Sequence, residues 1–482
     1  MRSARLAAAA AALAVAASAC TLAPRYRRPD APVAPAFPAA PAAQPATVPA
    51  SELGWRDVFG DPRLQALVAL ALERNRDLRV ASLNVALVRA QYRIERAAEL
   101  PTLVAQGSAT SQRIPADLSS SGKLTHLTSW SVGAAVAGFE LDLWGRVRSL
   151  SDAALEQYFA TDEARRSAQL SLVAEVATQY LANRSLDDQV ALARSTLETV
   201  EASAQLTRRS TEAGRTADID LRTAESQVET ARFNLAAAEQ QRALAQNALV
   251  LLIGGPIPAD LPEPLPLDSQ PIVADLPAGV PSEVLVRRPD VLAAEHALKS
   301  ANANIGAARA AFLPRISLTG TAGAASSQLW GVLGTGSGAW TFTPQITVPI
   351  FEGGALVASL DAAHVRKSIQ IAQYERAIQG AFREVADALA ARSWIEEQLR
   401  AQTARVAAEQ ERFRLSDRRY RAGIDSYLTV LTAQRDLYAA QQQLIQTRLS
   451  HLANLVDLYK ALGGGWKERT ASTSDAVPAS GG

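Results

Sequence analysis

Apolar residues recur with a helical period over two unusually long parts of the chain. Residues 147–212 contain neither proline nor glycine, and alanine-rich seams with charged flanks run through them. At a rise of 1.5 Å per residue, one helix over this stretch would be roughly 95 Å long. A shorter helical stretch, 221–253, follows, and the same order returns at 356–422 and 427–462, interrupted in sequence only by Gly380. The pattern predicts two long helical hairpins that pack as coiled coils.

A further helical period covers residues 64–100, where apolar residues are three or four positions apart. The polar triplet 75–77 is a candidate break in this helix. Pro101 ends the stretch because proline cannot continue a helix, and Pro314 ends the corresponding stretch downstream in the same way.

Between these helices, apolar residues alternate with Gly, Ser and Thr, which predicts β-strands. Each strand has roughly the ten residues that a tilted strand needs to cross a bilayer. The predicted strands are residues 103–111, 130–143, 316–326 and 340–351. The loops 112–129 and 328–339 are polar or glycine-rich, so the chain offers two strand hairpins.

The chain is an internal duplication. Residues 145–255 match 354–464 with a constant offset of 209, and residues 77–107 match 290–320 with an offset of 213. The four-residue difference falls between the two blocks. Each copy has the order helix, strand hairpin, long helical hairpin, and a duplicated unit usually means that neither copy buries its apolar face alone.

These patterns predict the following domain organisation. The first repeat, 54–255, holds a strand hairpin at 102–143 and a helical hairpin at 147–253. The second repeat, 281–466, holds the corresponding hairpins at 315–351 and 355–462. The remaining parts are a signal peptide at 1–19, a proline-rich tether at 20–53, an inter-repeat linker at 256–280 and a disordered tail at 467–482.

The N-terminus has the form of a secretory signal. Two arginines precede an apolar run, 6–17, that is too short to span a bilayer. Cys20, the sole cysteine, follows small residues at the end of this run and resembles the bacterial lipoprotein processing site. That resemblance implies a lipid on Cys20, and Thr21 in place of an aspartate favours the outer membrane. The alternative is an ordinary signal peptide with an incidental cysteine.

The proposed tether holds eight prolines between Thr21 and Ala50. Such a stretch builds no core and is expected to be extended. Its basic residues, Arg25, Arg27 and Arg28, are expected to be solvated, with binding to anionic lipid as the alternative.

Composition argues against several classes of function. The net charge is +1 and aromatic residues make up 5%, so no basic surface for nucleic acid is expected. After residue 20, no run of eighteen apolar residues would form a transmembrane helix. The four histidines show neither metal-ligand nor catalytic-triad spacing. They are His126, His296, His364 and His451. We therefore expect no enzyme and no cofactor beyond the lipid on Cys20.

Four strands are too few to close a transmembrane cylinder, for which about eight is the lower limit. Lipid also tolerates no open sheet edges. If the strands lie in a membrane, other copies of the chain must complete the wall, and a trimer would supply twelve strands.

Several motifs together resemble the TolC-like outer-membrane factors, specifically the lipidated OprM/NodT-type branch that serves resistance-nodulation-division (RND) efflux pumps. The resemblance covers residues 54–466. Its motifs are residues 139–145, 287–290, 418–428, 432–435 and 457–466.

The resemblance implies an α+β membrane protein that forms a homotrimer. Each chain would give four strands to a twelve-stranded transmembrane β-barrel, which continues as a long periplasmic α-helical barrel. The trimer would be the passive exit duct of a tripartite pump, with a periplasmic adaptor and an inner-membrane RND pump as partners. The alternatives are an exit duct for type I protein secretion or metal export, and a lipid-anchored coiled-coil spacer without a pore.

The resemblance also assigns roles to residues. The turns at Gly214 and Gly423, with Ile424 and Asp425, would be the tips that dock the adaptor. Leu428 would close the resting periplasmic gate by apolar contact.

Two polar gate positions depart from the family, because Thr429 and Thr432 stand where relatives often carry aspartate. In the first repeat, Ile219 corresponds to Leu428, and Asp218 and Asp220 would supply the negative charge of the entrance. The alternative role of these two aspartates is to cap the helix that follows.

Overall fold

The structure is a computed structural model that describes residues 21–37, 49–274, 276 and 287–470. The predicted signal peptide, Cys20 and most of the predicted tail lie outside the described residues. The chain forms two compact units. The first contains Asn84–Asp162, Ala293–Glu375 and the described part of Met1–Asp30; the second contains Ala31–Leu83, Glu163–Leu292 and the described residues from Arg376 onward.

The first unit holds one antiparallel sheet of four strands in the order β1-β2-β3-β4. The strands are β1 (Leu103–Ile114), β2 (Thr125–Glu140), β3 (Arg315–Ser326) and β4 (Gly338–Thr347). The two predicted hairpins therefore pair with each other through β2 and β3. A bulge between Val136 and Phe139, with Gly138 at a φ of +64°, breaks the register of this pair.

Two strand predictions extended too far. Residues 141–143 leave β2 because the Leu143 N–H turns back to the Leu141 carbonyl, at 2.9 Å, and Asp142 accepts from the Arg148 N–H, also at 2.9 Å. Residues 348–351 leave β4, where Pro349 has no N–H for a strand ladder. On the loop side, β1 and β2 are longer than predicted, and the loop between them covers only 115–124.

The helical predictions are confirmed to within a few residues. Short helices α1 (Trp55–Val58) and α2 (Pro62–Arg74) precede α3 (Arg76–Ala97). As expected, the helix is interrupted at Asn75, between α2 and α3. The remaining helices are α4 (Arg146–Glu212), α5 (Asp218–Ile253), α6 (Pro289–Ala310), α7 (Ala355–Arg421) and α8 (Tyr427–Ala461).

The repeat is visible in these bounds. Both ends of α3 and α6 differ by 213 residues, and both ends of α4 and α7 differ by 209. The helices α4 and α7 have 67 residues each, and Gly380 causes no break in α7. Among the described residues, no helix is long and apolar enough to cross a membrane.

The second unit has a large apolar core, in which Trp55, Phe59, Tyr180 and Tyr459 are fully buried. The buried Tyr180 hydroxyl donates to Asp61 at 2.6 Å, and Asp61 also caps α2. The predicted disorder of 467–482 is wrong for its first residues. Lys467 accepts a hydrogen bond from the Trp55 N–H at 3.0 Å, and this pairing adds the segment to the edge of the core.

Candidate functional site at the sheet and the helical turns

The sheet has one apolar and one polar face. On β4, Trp340, Phe342 and Ile346 occupy alternate positions and are 77%, 61% and 66% exposed. Alternate residues of a strand point to the same side. The opposite side carries hydroxyls that pair across strands: Ser108 with Ser131 at 2.8 Å, and Thr321 with Thr341 at 2.7 Å. The alternation suits a sheet with lipid on one side and water on the other.

Both long hairpins reverse through the same glycine turn. Gly214 has a φ of +69° and Gly423 a φ of +71°, as expected for tight reversals. The Gly214 N–H donates to the Thr211 carbonyl at 2.9 Å, and the Arg215 N–H to the Ser210 carbonyl at 2.8 Å. This is the Schellman motif, which satisfies the last carbonyls of a helix.

The second turn repeats these bonds and adds an ion pair. The Gly423 N–H donates to the Tyr420 carbonyl at 2.8 Å, and the Ile424 N–H to the Arg419 carbonyl at 2.9 Å. The Arg419 guanidinium then binds both carboxylate oxygens of Asp425, at 2.7 and 3.0 Å. The hydrogen bond from Arg419 holds the pKa of Asp425 below its usual value. At the first turn, only the hydroxyls of Thr211 and Thr216 meet, at 2.9 Å.

The ends of the two hairpins pack together around Tyr427. Its ring is buried with Val200, Ala224 and Leu431. Its hydroxyl lies 3.1 Å from the Ser203 hydroxyl on α4. Burial raises the pKa of Tyr427, and the nearby Asp220 carboxylate adds to this rise. The predicted gate residues of both repeats therefore lie in one region of the second unit.

The two predicted apolar gate residues are exposed in this structure. Leu428 is 67% and Ile219 is 72% exposed. Thr429 is exposed, and the Thr432 hydroxyl donates to the Leu428 carbonyl at 2.9 Å. Such placement leaves both apolar side chains free to meet copies of themselves.

The capping role considered for Asp218 and Asp220 is wrong in the strict sense. Ala217 is the N-cap of α5, and no side chain forms a cap hydrogen bond there. Both aspartates lie in the first turn of α5, where a carboxylate interacts favourably with the helix dipole. Asp218 is exposed and Asp220 is half-buried.

Sequence reasoning missed Tyr427, Ser203 and the Arg419–Asp425 pair. A salt bridge between residues six apart follows no helical spacing rule, so nothing in the sequence points to it. A large aromatic residue in an otherwise polar turn was the one available signal for Tyr427. Among the described residues, no group of three or more His, Cys, Asp or Glu side chains could hold a metal ion.

Known proteins share this architecture. The profile of the outer membrane efflux protein family matches residues 67–255 and 280–464. The probable efflux pump outer membrane protein TtgC of Pseudomonas putida is 51% identical over 433 residues, which are 89% of this chain and 89% of that protein. Outer membrane protein OprJ of Pseudomonas aeruginosa is 44% identical over 421 residues, 86% of this chain and 87% of that protein.

Among solved structures, the open-state outer membrane channel MtrE of Neisseria gonorrhoeae superposes with a TM-score of 0.86. It is 45% identical and covers 94% of this chain and 100% of that chain. An antiparallel sheet with one polar face, joined to paired long helices, is thus the architecture of outer-membrane channels. The chain belongs to the outer membrane efflux protein family. Its expected fold, its location in the outer membrane and its role in efflux are confirmed.

Proposed function

We propose that three copies of the chain form the exit duct of a tripartite efflux pump. The observation that carries the proposal is the two-faced sheet. Among the described residues, β1 and β4 each pair on one side only. Open edges are not tolerated in lipid, so β1 of one copy would pair with β4 of the next. Three copies then supply twelve strands, with Trp340, Phe342 and Ile346 toward lipid and the hydroxyl face toward a watery pore.

A second exposed apolar surface fits the same assembly. Val80, Leu83, Leu87 and Ile94 lie along α3 and are between 55% and 70% exposed. Exposed apolar surfaces of this kind mark sites of association. Neighbouring copies would cover this surface in the assembled protein.

The helical turns would meet a periplasmic adaptor, and an inner-membrane RND pump would supply the energy. Relatives that are 51% identical are named as toluene and antibiotic efflux pump proteins. We therefore propose small apolar solvents and drugs as the solutes that pass through. The proposal gives the chain a lipid on Cys20 but no catalytic, metal or cofactor site.

At the gate, Leu428 would close the resting pore by apolar contact across the three-fold axis. Thr429 and Thr432 bring no like charges together, whereas carboxylates at such positions would repel each other and weaken closure. Asp218 and Asp220 would then give the entrance its negative charge.

Conductance in planar bilayers tests the duct and the gate together. The purified protein should run as a trimer by light scattering and form channels, whereas a spacer or a monomer would conduct nothing. Leu428→Ala should raise the closed-state leak, and Asp220→Asn should lower the preference for cations. Leu415→Ala, at an exposed leucine of α7 that is not a predicted gate residue, serves as the matched control. An unchanged leak in Leu428→Ala would contradict the proposed gate. If the protein forms trimeric channels but deletion of its gene does not make cells sensitive to toluene or drugs, another cargo is favoured.

A further inference from the structure

The segment that follows Cys20 is bound along one face of a helix. We name residues 22–28 the N-terminal strap. The Leu22 carbonyl accepts from Arg309 at 3.2 Å, and the Pro24 carbonyl accepts from Asn302 at 2.7 Å. Arg28 binds both carboxylate oxygens of Glu295, at 3.1 and 2.7 Å. The strap therefore runs antiparallel to α6, with its first residue toward the C-terminal end of that helix. The segment is extended as expected, but Arg28, which was expected to be solvated, is half exposed and paired with Glu295.

The charged end of the strap binds a buried carboxylate. The Glu295 side chain is only 5% exposed, and it accepts from the Tyr26 hydroxyl at 3.1 Å and lies 3.5 Å from Lys299. Burial alone would raise the pKa of Glu295, but the hydrogen bond from Arg28 and the charge of Lys299 lower it overall. Tyr26 also packs under Lys299, whose ammonium lies 5.5 Å from the ring centre. Arg28 of the strap and Lys299 of α6 therefore both favour the ionised carboxylate.

A glycine admits the strap to the helix surface. A Cβ atom on Gly306 would lie 2.6 Å from the Ser149 Oγ, 2.8 Å from the Ala23 nitrogen and 2.9 Å from the Ala23 Cα. Glycine inside a helix costs about 1 kcal/mol relative to alanine, so its presence in α6 needs a structural reason. Close approach of the strap backbone, together with that of the Ser149 side chain, is that reason.

The other repeat cannot bind the same segment. At an offset of 213, the contact positions Glu295, Asn302, Gly306 and Arg309 correspond to Ser82, Arg89, Arg93 and Arg96 of α3. These four residues are exposed, and no carboxylate stands where Glu295 does. The binding face therefore exists once in each chain.

We propose that the strap is a docking segment that fixes the lipid-modified N-terminus beside the start of β3, so that lipid anchor and sheet reach the membrane as one body. The inference rests on the proposed lipidation of Cys20. Thr21 is adjacent to that residue, and α6 ends at Ala310, five residues before β3 begins at Arg315. If the strap were released, about 17 residues would separate position 20 from the next buried side chain, Phe37, and an extended proline-rich segment of that length reaches roughly 50 Å.

Docking is tested by cross-linking in intact cells. The double variant Pro24→Cys with Asn302→Cys should form a disulfide, because these two positions are in contact. Cys20 does not compete, since its thiol carries the lipid. The matched pair from the other repeat, Pro24→Cys with Arg89→Cys, should stay reduced. Free thiols in the first pair would overturn the docking.

The role of docking is tested by the rate at which pulse-labelled chains become folded trimers. Arg28→Glu should slow this step by about threefold or more, because it lowers the effective concentration of the anchor at the sheet. The double change Arg28→Glu with Glu295→Arg should restore the rate. Arg27→Glu, the same charge change on an exposed neighbour, should have no effect.

A lipid-free chain separates positioning from simple stabilisation. When Cys20→Ser is expressed behind a cleaved signal peptide, Arg28→Glu should no longer slow assembly. An equal delay with and without lipid would overturn the proposal, since the strap would then only support the fold. Failure of the duct proposal would appear separately, as trimers that assemble in this lipid-dependent way but do not conduct.

Discussion

The two repeats use different side chains for the same backbone contact. In the first, the Asn75 amide donates to the Leu252 carbonyl at 2.8 Å, near the end of α5. In the second, the Arg288 guanidinium donates to the Ala461 carbonyl at 2.7 Å, at the end of α8. Asn75 corresponds to Arg288 at an offset of 213, and Leu252 corresponds to Ala461 at an offset of 209. Each repeat therefore connects the start of α3 or α6 to the end of its return helix, which is α5 in the first repeat and α8 in the second.

The second version brings a charge into the core. The Arg288 side chain is 8% exposed and binds Asp290 at 2.6 Å and Glu384 at 2.7 Å. Burial opposes its charge, but the two carboxylates outweigh burial and raise the pKa of Arg288. In the first repeat, the corresponding Asp77 and Glu175 are exposed. Both repeats therefore keep a side-chain donor to a carbonyl near the end of the return helix, whereas the ion network belongs to the second repeat.

The largest difference between the repeats should appear when each donor is removed. Arg288→Ala leaves two carboxylates without their partner, and breaking a fully buried ion pair costs about 3–5 kcal/mol. Because Asp290 and Glu384 are partly exposed, we expect the low end of that range. Asn75→Ala also loses the bond from the Leu78 N–H, yet its cost should be about 1–3 kcal/mol. Denaturation in detergent measures the loss of unfolding free energy in both variants, with Arg287→Ala as the control. Equal losses for Arg288→Ala and Asn75→Ala would contradict the difference between the repeats.

A second difference lies in the glycines that end the return helices. Gly254 and Gly463 both have a φ of +82°, where an alanine costs about 1–2 kcal/mol. A Cβ on Gly254 would also lie 2.4 Å from the Arg74 carbonyl, whereas on Gly463 it would lie 3.3 Å from the flexible Arg288 side chain. Gly254→Ala should therefore lower the midpoint of thermal unfolding more than Gly463→Ala. Gly255→Ala, with open space around it, should change little.

A third difference concerns the first residue of each return helix. Tyr427 is buried against Ser203, whereas its counterpart Asp218 is exposed. Tyr427→Phe should cost about 0.5–1.5 kcal/mol, the usual net value of one hydrogen bond. The hydrogen-exchange rate of the backbone amides at the start of α8 should rise as a result of this loss of stability. Asp218→Asn, which loses only its interaction with the helix dipole, should speed exchange at the start of α5 less, and equal responses would contradict the assignment.

The smallest difference should be a pH effect at the turns. The folded pKa of Asp425 is lowered by Arg419, so the pair stabilises its turn above the ordinary aspartate pKa of about 3.9. This stabilisation is lost as the pH falls below that value and through the lower folded pKa. Exchange of the Ile424 amide should then rise relative to that of Arg215 at the first turn. Arg419→Gln should abolish the difference; its persistence would exclude the ion pair as the cause.

Sequence patterns were sufficient for the helices because long runs without proline or glycine leave no competing structure. The repeat also allowed each bound to be checked against its copy. Strand ends were less accurate, since Asp142 and Pro349 act through local hydrogen bonding that alternation does not reveal. The strap was missed entirely, because Arg28 and Glu295 are 267 residues apart and nothing local in either marks the other.

Helices α4 and α7 have equal lengths, so the two copies differ in length outside these helices. One extra residue inside either helix would turn every following side chain by about 100° around the axis, moving apolar positions into water. The four residues by which the copies differ instead lie between Gly107, within β1, and Gly145, just before α4. Within that region, the exposed loop 115–124 is therefore the place where an affinity tag or a fluorescent label could be inserted without disturbing the register of the helices.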